Sequence, residues 1–204
     1  MTATLASAAA STGSPLWFLT RSTALVAFVL LTVALLVGLF ATRRTAGVPR
    51  IASQALHRNT ILLALGFVVV HVATTVLDGY VPVGWAAAVL PFTSAYRTTW
   101  VAAGTVAFDL AVLLTVTSLA RARIGLRLWR GVHWLAYALW PLALVHYLGA
   151  GTDARTAWGR WLAVAAAVAV AGAVAVRVAA AVSAASQAPA RRAERGAPVR
   201  AAGR

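Results

Sequence analysis

The chain contains no cysteine, no lysine and only four acidic residues among its 204. Without cysteine it cannot form disulfides, hold a thiolate-bound metal cluster or attach a prosthetic group covalently through a C-x-x-C-H motif. Charged residues make up 11% of the chain, whereas about a quarter is usual in soluble domains. These shortages argue against a soluble globular protein.

The net charge of +14 arises because 18 arginines outnumber the four acids. A strongly basic chain is often a nucleic-acid-binding protein, whose cations line one polar face. Here the arginines cluster at the ends of apolar runs instead, as in Arg43-Arg44. We therefore expect no nucleic-acid partner.

Several apolar runs approach or exceed the ~18–20 residues that cross a bilayer as a helix. They predict helices over residues 16–41, 55–77, 98–120, 128–149 and 157–182. The sequence thus predicts an all-α, polytopic transmembrane bundle of about five spans, embedded in the lipid bilayer of the plasma membrane. The membrane domain is expected over residues 16–183, after a flexible N-terminal segment (1–15) and before a disordered, basic C-terminal tail (184–204).

The distribution of arginine predicts the orientation, because cytoplasmic loops of membrane proteins are enriched in Lys and Arg. The first and third predicted loops and the C-terminal tail are rich in arginine, whereas the N-terminus and the other two loops hold few. We expect the N-terminus outside the cell and the C-terminus inside.

All four histidines lie on the second and fourth predicted helices, as His57 and His71 on one and His133 and His146 on the other. At ~1.5 Å per residue, each pair of neighbours along the chain is separated by about 20 Å. Both helices are expected to run in the same direction, so His57 shares its depth with His133, and His71 with His146. The sequence therefore predicts two histidine pairs, one near each membrane surface.

Paired imidazoles at one depth suit haem, since porphyrin iron has two axial positions on opposite faces of the ring. With both positions filled, the iron can gain and lose an electron but has no site for substrate. On the second helix, His71 lies within about 40° of the face of His57. On the fourth, His146 lies about 140° from His133, and we expect Pro141 to kink the helix and re-aim the second ring.

Two spacings, H-x13-H on the second helix and H-x12-H on the fourth, resemble the ferric-reductase-like transmembrane domain family, as do RSTALVAF on the first helix and LWRGVHWLAY at the start of the fourth. The resemblance covers residues 17–180. It implies two b-type haems, an inner one held by His57 and His133 and an outer one held by His71 and His146, with electrons flowing outward. Unlike larger family members, this sequence has no G-x-G-x-x-G motif and five predicted spans rather than six. We therefore expect no FAD or NAD(P)H site in this chain.

We therefore expect an electron-transfer subunit of an oxidoreductase. Its donor would be a separate cytoplasmic flavoprotein or a membrane quinol, and its acceptor ferric iron, oxygen or an extracytoplasmic reductase. Two alternatives are open: the histidines cap helices or bond neighbouring helices, or they serve as transient ligands in a non-redox transition-metal permease. A permease would normally have carboxylates nearby, and Asp109 is the one acid deep in an apolar run.

Haem propionates are anionic, so arginines are their candidate partners. The candidates are Arg50, Arg58 and Arg130 for the inner haem and Arg21, Arg97 and Arg155 for the outer one. The same arginines suit topology signalling or contact with lipid phosphate. Asp109 suits either a neutral, hydrogen-bonded structural role or a role in proton movement or quinone binding.

Overall fold

A computed structural model describes residues 14–40, 50–79 and 81–196, with side chains over 14–40, 51–79 and 81–187. Apart from Ser14 and Pro15, the predicted N-terminal segment lies outside this part of the chain, as do residues 197–204 of the predicted tail.

The described chain is α-helical, which confirms the predicted fold class. Its α-helices are α1 (Pro15–Phe40), α2 (Arg50–Asp78), α3 (Thr98–Leu119), α4 (Arg121–Ile124), α5 (Leu126–His133), α6 (Ala136–Ala150) and α7 (Ala157–Gly196). Short 3₁₀ turns lie in the connections after α2 and α6, at Trp85–Ala88 and Asp153–Arg155. No β-strand occurs within the described ranges.

Four helices are long and apolar enough to cross a membrane, over Pro15–Phe40, Ile51–Asp78, Thr98–Leu119 and Ala157–Gln187. The segment predicted as the fourth of five spans is instead divided into α5, with 8 residues, and α6, with 15. Each is shorter than the ~20 residues of a bilayer crossing. A fifth span therefore stays a prediction, and it requires α5 and α6 to cross the membrane together. The orientation of the termini also stays a prediction.

The break between α5 and α6 falls at Trp134 and Leu135. Around it, the amides of Leu135, Tyr137 and Ala138 donate to carbonyls three residues earlier rather than four. Such 3₁₀ bonding turns the chain about 20° further per residue than an α-helix does. Three or four such residues reduce the 140° mismatch between His133 and His146 to roughly 60–80°.

The expected cause of this re-aiming was Pro141, which lies inside α6. In the structure, however, the helix is tightened at Trp134 and Leu135, which precede Pro141 in the chain. The ring of a proline clashes with the carbonyl four residues earlier, which here belongs to Tyr137. Pro141 therefore affects the helix just after the tightened turn.

Helix α1 lies at the centre of the bundle, packing most extensively on α2 and also on α6 and α7, while α3 packs chiefly on α6. Between α1, α6 and α7 is an apolar core of Phe28, Trp140, Ala166 and Val170. The indole nitrogen of Trp140 donates to Thr32 Oγ1 at 2.9 Å, which satisfies its polar atom within this core. The arrangement leaves α1 and α2 facing α3 and α6 across a cavity.

Helix α7 continues to Gly196, past its predicted end at residue 182 and into the predicted disordered tail. The extension is rich in alanine, the strongest helix former. The helix continues through Pro189 in spite of the unfavourable helix propensity of proline, so it extends beyond the apolar run from which its end was predicted.

Candidate functional site

The structure brings the four histidines together in the two predicted pairs. The rings of His57 and His133 have centroids 6.4 Å apart and planes at 75°. Those of His71 and His146 are 6.2 Å apart at 74°. Both pairs join α2 to the α5–α6 segment, and the two pairs have nearly the same geometry.

This separation lies at the long end of the ~4.5–7 Å range of edge-to-face ring contacts, and it also agrees with two imidazoles on opposite sides of one metal. A metal–imidazole bond is about 2.0 Å long and the ring centre lies about 1.2 Å beyond the nitrogen, so two opposed imidazoles have centroids about 6.4 Å apart. Both ring separations lie within 0.2 Å of that value.

Three of the four imidazoles are oriented by backbone carbonyls. The Nδ1 atom of His57 donates to Ala34 O at 2.9 Å, that of His71 to Thr20 O at 3.0 Å, and that of His146 to Trp100 O at 2.8 Å. A carbonyl only accepts, so Nδ1 carries the proton and Nε2 is the free basic nitrogen. Metal-bound histidines in proteins are held in the same way.

His133 is the exception. Its Nδ1 is buried and has no hydrogen-bond partner among the described residues. The ring is held by stacking on Trp129, with centroids 4.9 Å apart and planes at 27°, and the Trp129 indole nitrogen donates to Ser118 Oγ. An unpaired buried nitrogen costs about 1–3 kcal/mol, so the inner pair carries a cost that the outer pair does not.

A cavity of about 260 Å³ lies between α1, α2, α3 and α6, and both His71 and His146 line it. Most of its wall is apolar, including Phe28, Val72 and Phe108. An apolar slot with a few convergent polar groups is typical of a cofactor site. The cavity therefore supplies the kind of wall that a flat, apolar macrocycle needs around the outer pair.

Two glycines allow helices α3 and α6 to approach closely beside the outer pair. A Cβ atom on Gly104 would lie 2.5 Å from Nδ1 of His146, and one on Gly149 would lie 2.0 Å from the Trp100 ring. At the inner pair the approach is looser, since a Cβ on Gly38 would lie 3.2 Å from the His57 ring. Gly104 thus allows His146 to reach the carbonyl of Trp100.

A pair of threonines supports the carbonyl that holds His71. Thr20 Oγ1 donates to Thr74 Oγ1 at 2.8 Å, which joins α1 to α2 next to the bond between His71 and Thr20 O. Sequence reasoning missed Thr20, Thr74, Gly104 and the ring-orienting role of Trp100. Backbone carbonyls leave no side-chain signature, but a glycine inside an apolar span was an available signal.

Arg21, predicted to bind an outer propionate, is paired within the protein. Its guanidinium makes a two-point ion pair with the buried carboxylate of Asp153 and lies 4.1 Å from the centre of the Trp17 ring. Arg21 and Asp153 both line the outer cavity. The charge of Arg21 is therefore already balanced, and a propionate there would share its guanidinium with Asp153.

The other candidate arginines are dispersed. Arg97 donates to Gly149 O, which fixes the end of α6 beside the outer pair. Arg58, Arg130 and Arg155 are exposed, and the side chain of Arg50 lies outside the described part of the chain. Their contact with propionates stays a prediction.

Asp109 is half-buried midway along α3. Within the described ranges, no group of three or more His, Cys, Asp or Glu side chains is placed to hold a metal ion. The sites available are thus pairs of imidazoles, each supplying two ligands.

A family described as Domain of unknown function (DUF8596) matches residues 15–153, more than half of the chain. The chain belongs to this family. The DUF8596 match covers α1 through the turn that contains Asp153, and so includes all four histidines. No curated protein and no solved structure matches the chain.

Proposed function

We propose that this DUF8596 protein is a di-haem b-type membrane cytochrome of the ferric-reductase-like kind, an electron-transfer subunit of an oxidoreductase. The observation that carries the proposal is the geometry of the histidine pairs: two sets of rings, 6.4 and 6.2 Å apart, joining the same two parts of the bundle. Haem fits this donor set because the porphyrin supplies four nitrogens and needs two axial ligands.

In the proposed function, His57 and His133 hold the inner haem and His71 and His146 the outer one. The carbonyls of Ala34, Thr20 and Trp100 keep Nδ1 protonated and leave Nε2 as the nitrogen that would bind the haem iron. When bound, the haems supply reversible one-electron chemistry at two depths. The apolar wall of the cavity would surround the outer haem.

The direction of transfer rests on the arginine distribution, which favours an outside N-terminus and an outer position for His71 and His146. We propose transfer across the plasma membrane from a cytoplasmic flavoprotein or a quinol to ferric iron, oxygen or an extracytoplasmic reductase. The donor and the acceptor are proposed as partners distinct from the membrane domain described here.

The alternative of a non-redox metal permease gains less support from the site. A bare Zn²⁺ ion usually takes four protein ligands or three plus water, and each level here offers two imidazoles. The ring separations are also nearly equal at both levels. This similarity favours a permanently bound metal, as in a cytochrome, rather than a transported one, as in a permease.

An optical spectrum of the purified full-length chain tests the proposal. We expect a Soret band, sharp α and β bands on reduction, and about two haems per chain by pyridine haemochrome assay. A colourless protein, after expression with ample haem supply, would rule the proposal out and leave the two alternatives, a metal permease or histidines that only bond neighbouring helices.

A further inference from the structure

Residues 121–133, which we call the basic corner, connect α3 to α6 and consist of α4, Gly125 and α5. Gly125 has φ +81°, a left-handed value that glycine adopts without strain, and this lets the chain turn between the two short helices. Arg121, Arg123, Arg127 and Arg130 are all exposed. The sequence has no acid between Asp109 and Asp153 to offset them.

Large apolar side chains are exposed among these arginines. Leu126 and Leu128 are 58% and 59% exposed, and the basic corner begins just after Leu119, where the apolar helix α3 ends. An amphipathic basic helix at the end of a membrane span lies in the headgroup layer, where its leucines reach acyl chains and its arginines reach phosphates.

We propose that the basic corner binds anionic phospholipid headgroups. The proposal commits to lipid because the exposed leucines and arginines are intermixed at the level where α3 leaves the apolar layer, and because the charge there is uniformly positive. It goes beyond electron transfer and does not depend on haem being bound.

The basic corner also ends at the inner histidine pair. His133 is the last residue of α5, and Trp129, which stacks on it, lies between Arg127 and Arg130. Lipid bound by these two arginines would fix the helix that presents the ring whose Nδ1 lacks a protein partner.

Native mass spectrometry of the purified full-length chain, titrated with phosphatidylglycerol or phosphatidylcholine, tests the proposal. The wild type should bind phosphatidylglycerol more tightly than phosphatidylcholine. Replacing both Arg127→Gln and Arg130→Gln should weaken phosphatidylglycerol binding about 25-fold, since each arginine near an anionic surface contributes about fivefold. Far-ultraviolet circular dichroism of this variant should match the wild type.

The matched control is Arg155→Gln with Arg160→Gln, two exposed arginines at the opposite, outer end of the bundle by the predicted orientation. This variant should bind phosphatidylglycerol as the wild type does. Equal binding of the two lipids by the wild type, unchanged binding in the Arg127/Arg130 variant, or equal losses in both variants would overturn the proposal. If the wild type bound the two lipids equally, an acidic soluble protein would become the expected partner of the basic corner.

Discussion

The outer and inner histidine pairs have almost the same ring separation but are supported differently. In the outer pair, both rings donate to backbone carbonyls of helices that pack closely. In the inner pair, one ring does so and His133 is held by stacking at the end of an eight-residue helix. Both pairs therefore place two imidazoles at the same separation. In the outer pair alone, hydrogen bonds orient both rings.

This difference has chemical consequences for a bound metal. A hydrogen bond from Nδ1 fixes the tautomer and makes Nε2 more basic, and losing such a bond typically weakens metal binding 10–100-fold. The outer pair should therefore be the tighter site and the inner pair the more easily perturbed one.

The largest expected effect comes from removing one ligand at either level. His71→Ala should lose the outer haem and keep the inner one, so that bound haem falls to about half, and His57→Ala should do the reverse. Pyridine haemochrome assay of both purified variants gives the ratio of haem to chain. If either single variant lost both haems, the two levels would not be the independent sites that the comparison assumes.

A methyl group placed against one imidazole ring should weaken haem binding at that histidine pair and not at the other. In Gly104→Ala, the new Cβ lies 2.5 Å from Nδ1 of His146, so the ring must move away from Trp100 O. Loss of that bond should speed haem transfer from the outer site to excess apomyoglobin about 10–100-fold.

Two matched variants calibrate that result. Gly38→Ala, with its Cβ 3.2 Å from the His57 ring, should have a smaller effect on the inner site. Gly172→Ala on α7, where nothing lies within 4 Å of the new Cβ, should leave both transfer rates unchanged. A Gly104→Ala protein that released haem like the Gly172→Ala protein would show that the close approach of α3 does not hold His146.

The smallest expected effect is on reduction potential. More basic ligands stabilise the ferric state, so the outer site should have the lower midpoint potential. A tenfold difference in ferric binding corresponds to about 59 mV for a one-electron couple. Redox titration of the two single-haem variants, His57→Ala and His71→Ala, measures it; an outer site equal to or higher than the inner one would contradict the assigned role of the carbonyl bonds.

The sequence predicted the helical membrane fold and both histidine pairs, because helix spacing and apolar length depend on local geometry alone. It did not predict the helix break at Trp134 and Leu135. That break depends on whether an amide donates to the carbonyl three or four residues earlier. Nor did the sequence predict the Arg21–Asp153 ion pair, whose partners lie on α1 and beyond α6. The carbonyls that orient the rings were out of reach because every residue has one.

The central claim is that each pair of imidazoles binds one haem iron between its two rings, as proposed above, and electron paramagnetic resonance of the oxidised, purified full-length protein tests it most directly. Iron with two strong-field imidazole ligands is low-spin, so we expect two low-spin ferric signals, one from each pair, and no high-spin signal. A dominant high-spin ferric signal would mean that the rings of a pair do not share one iron, and it would contradict the account.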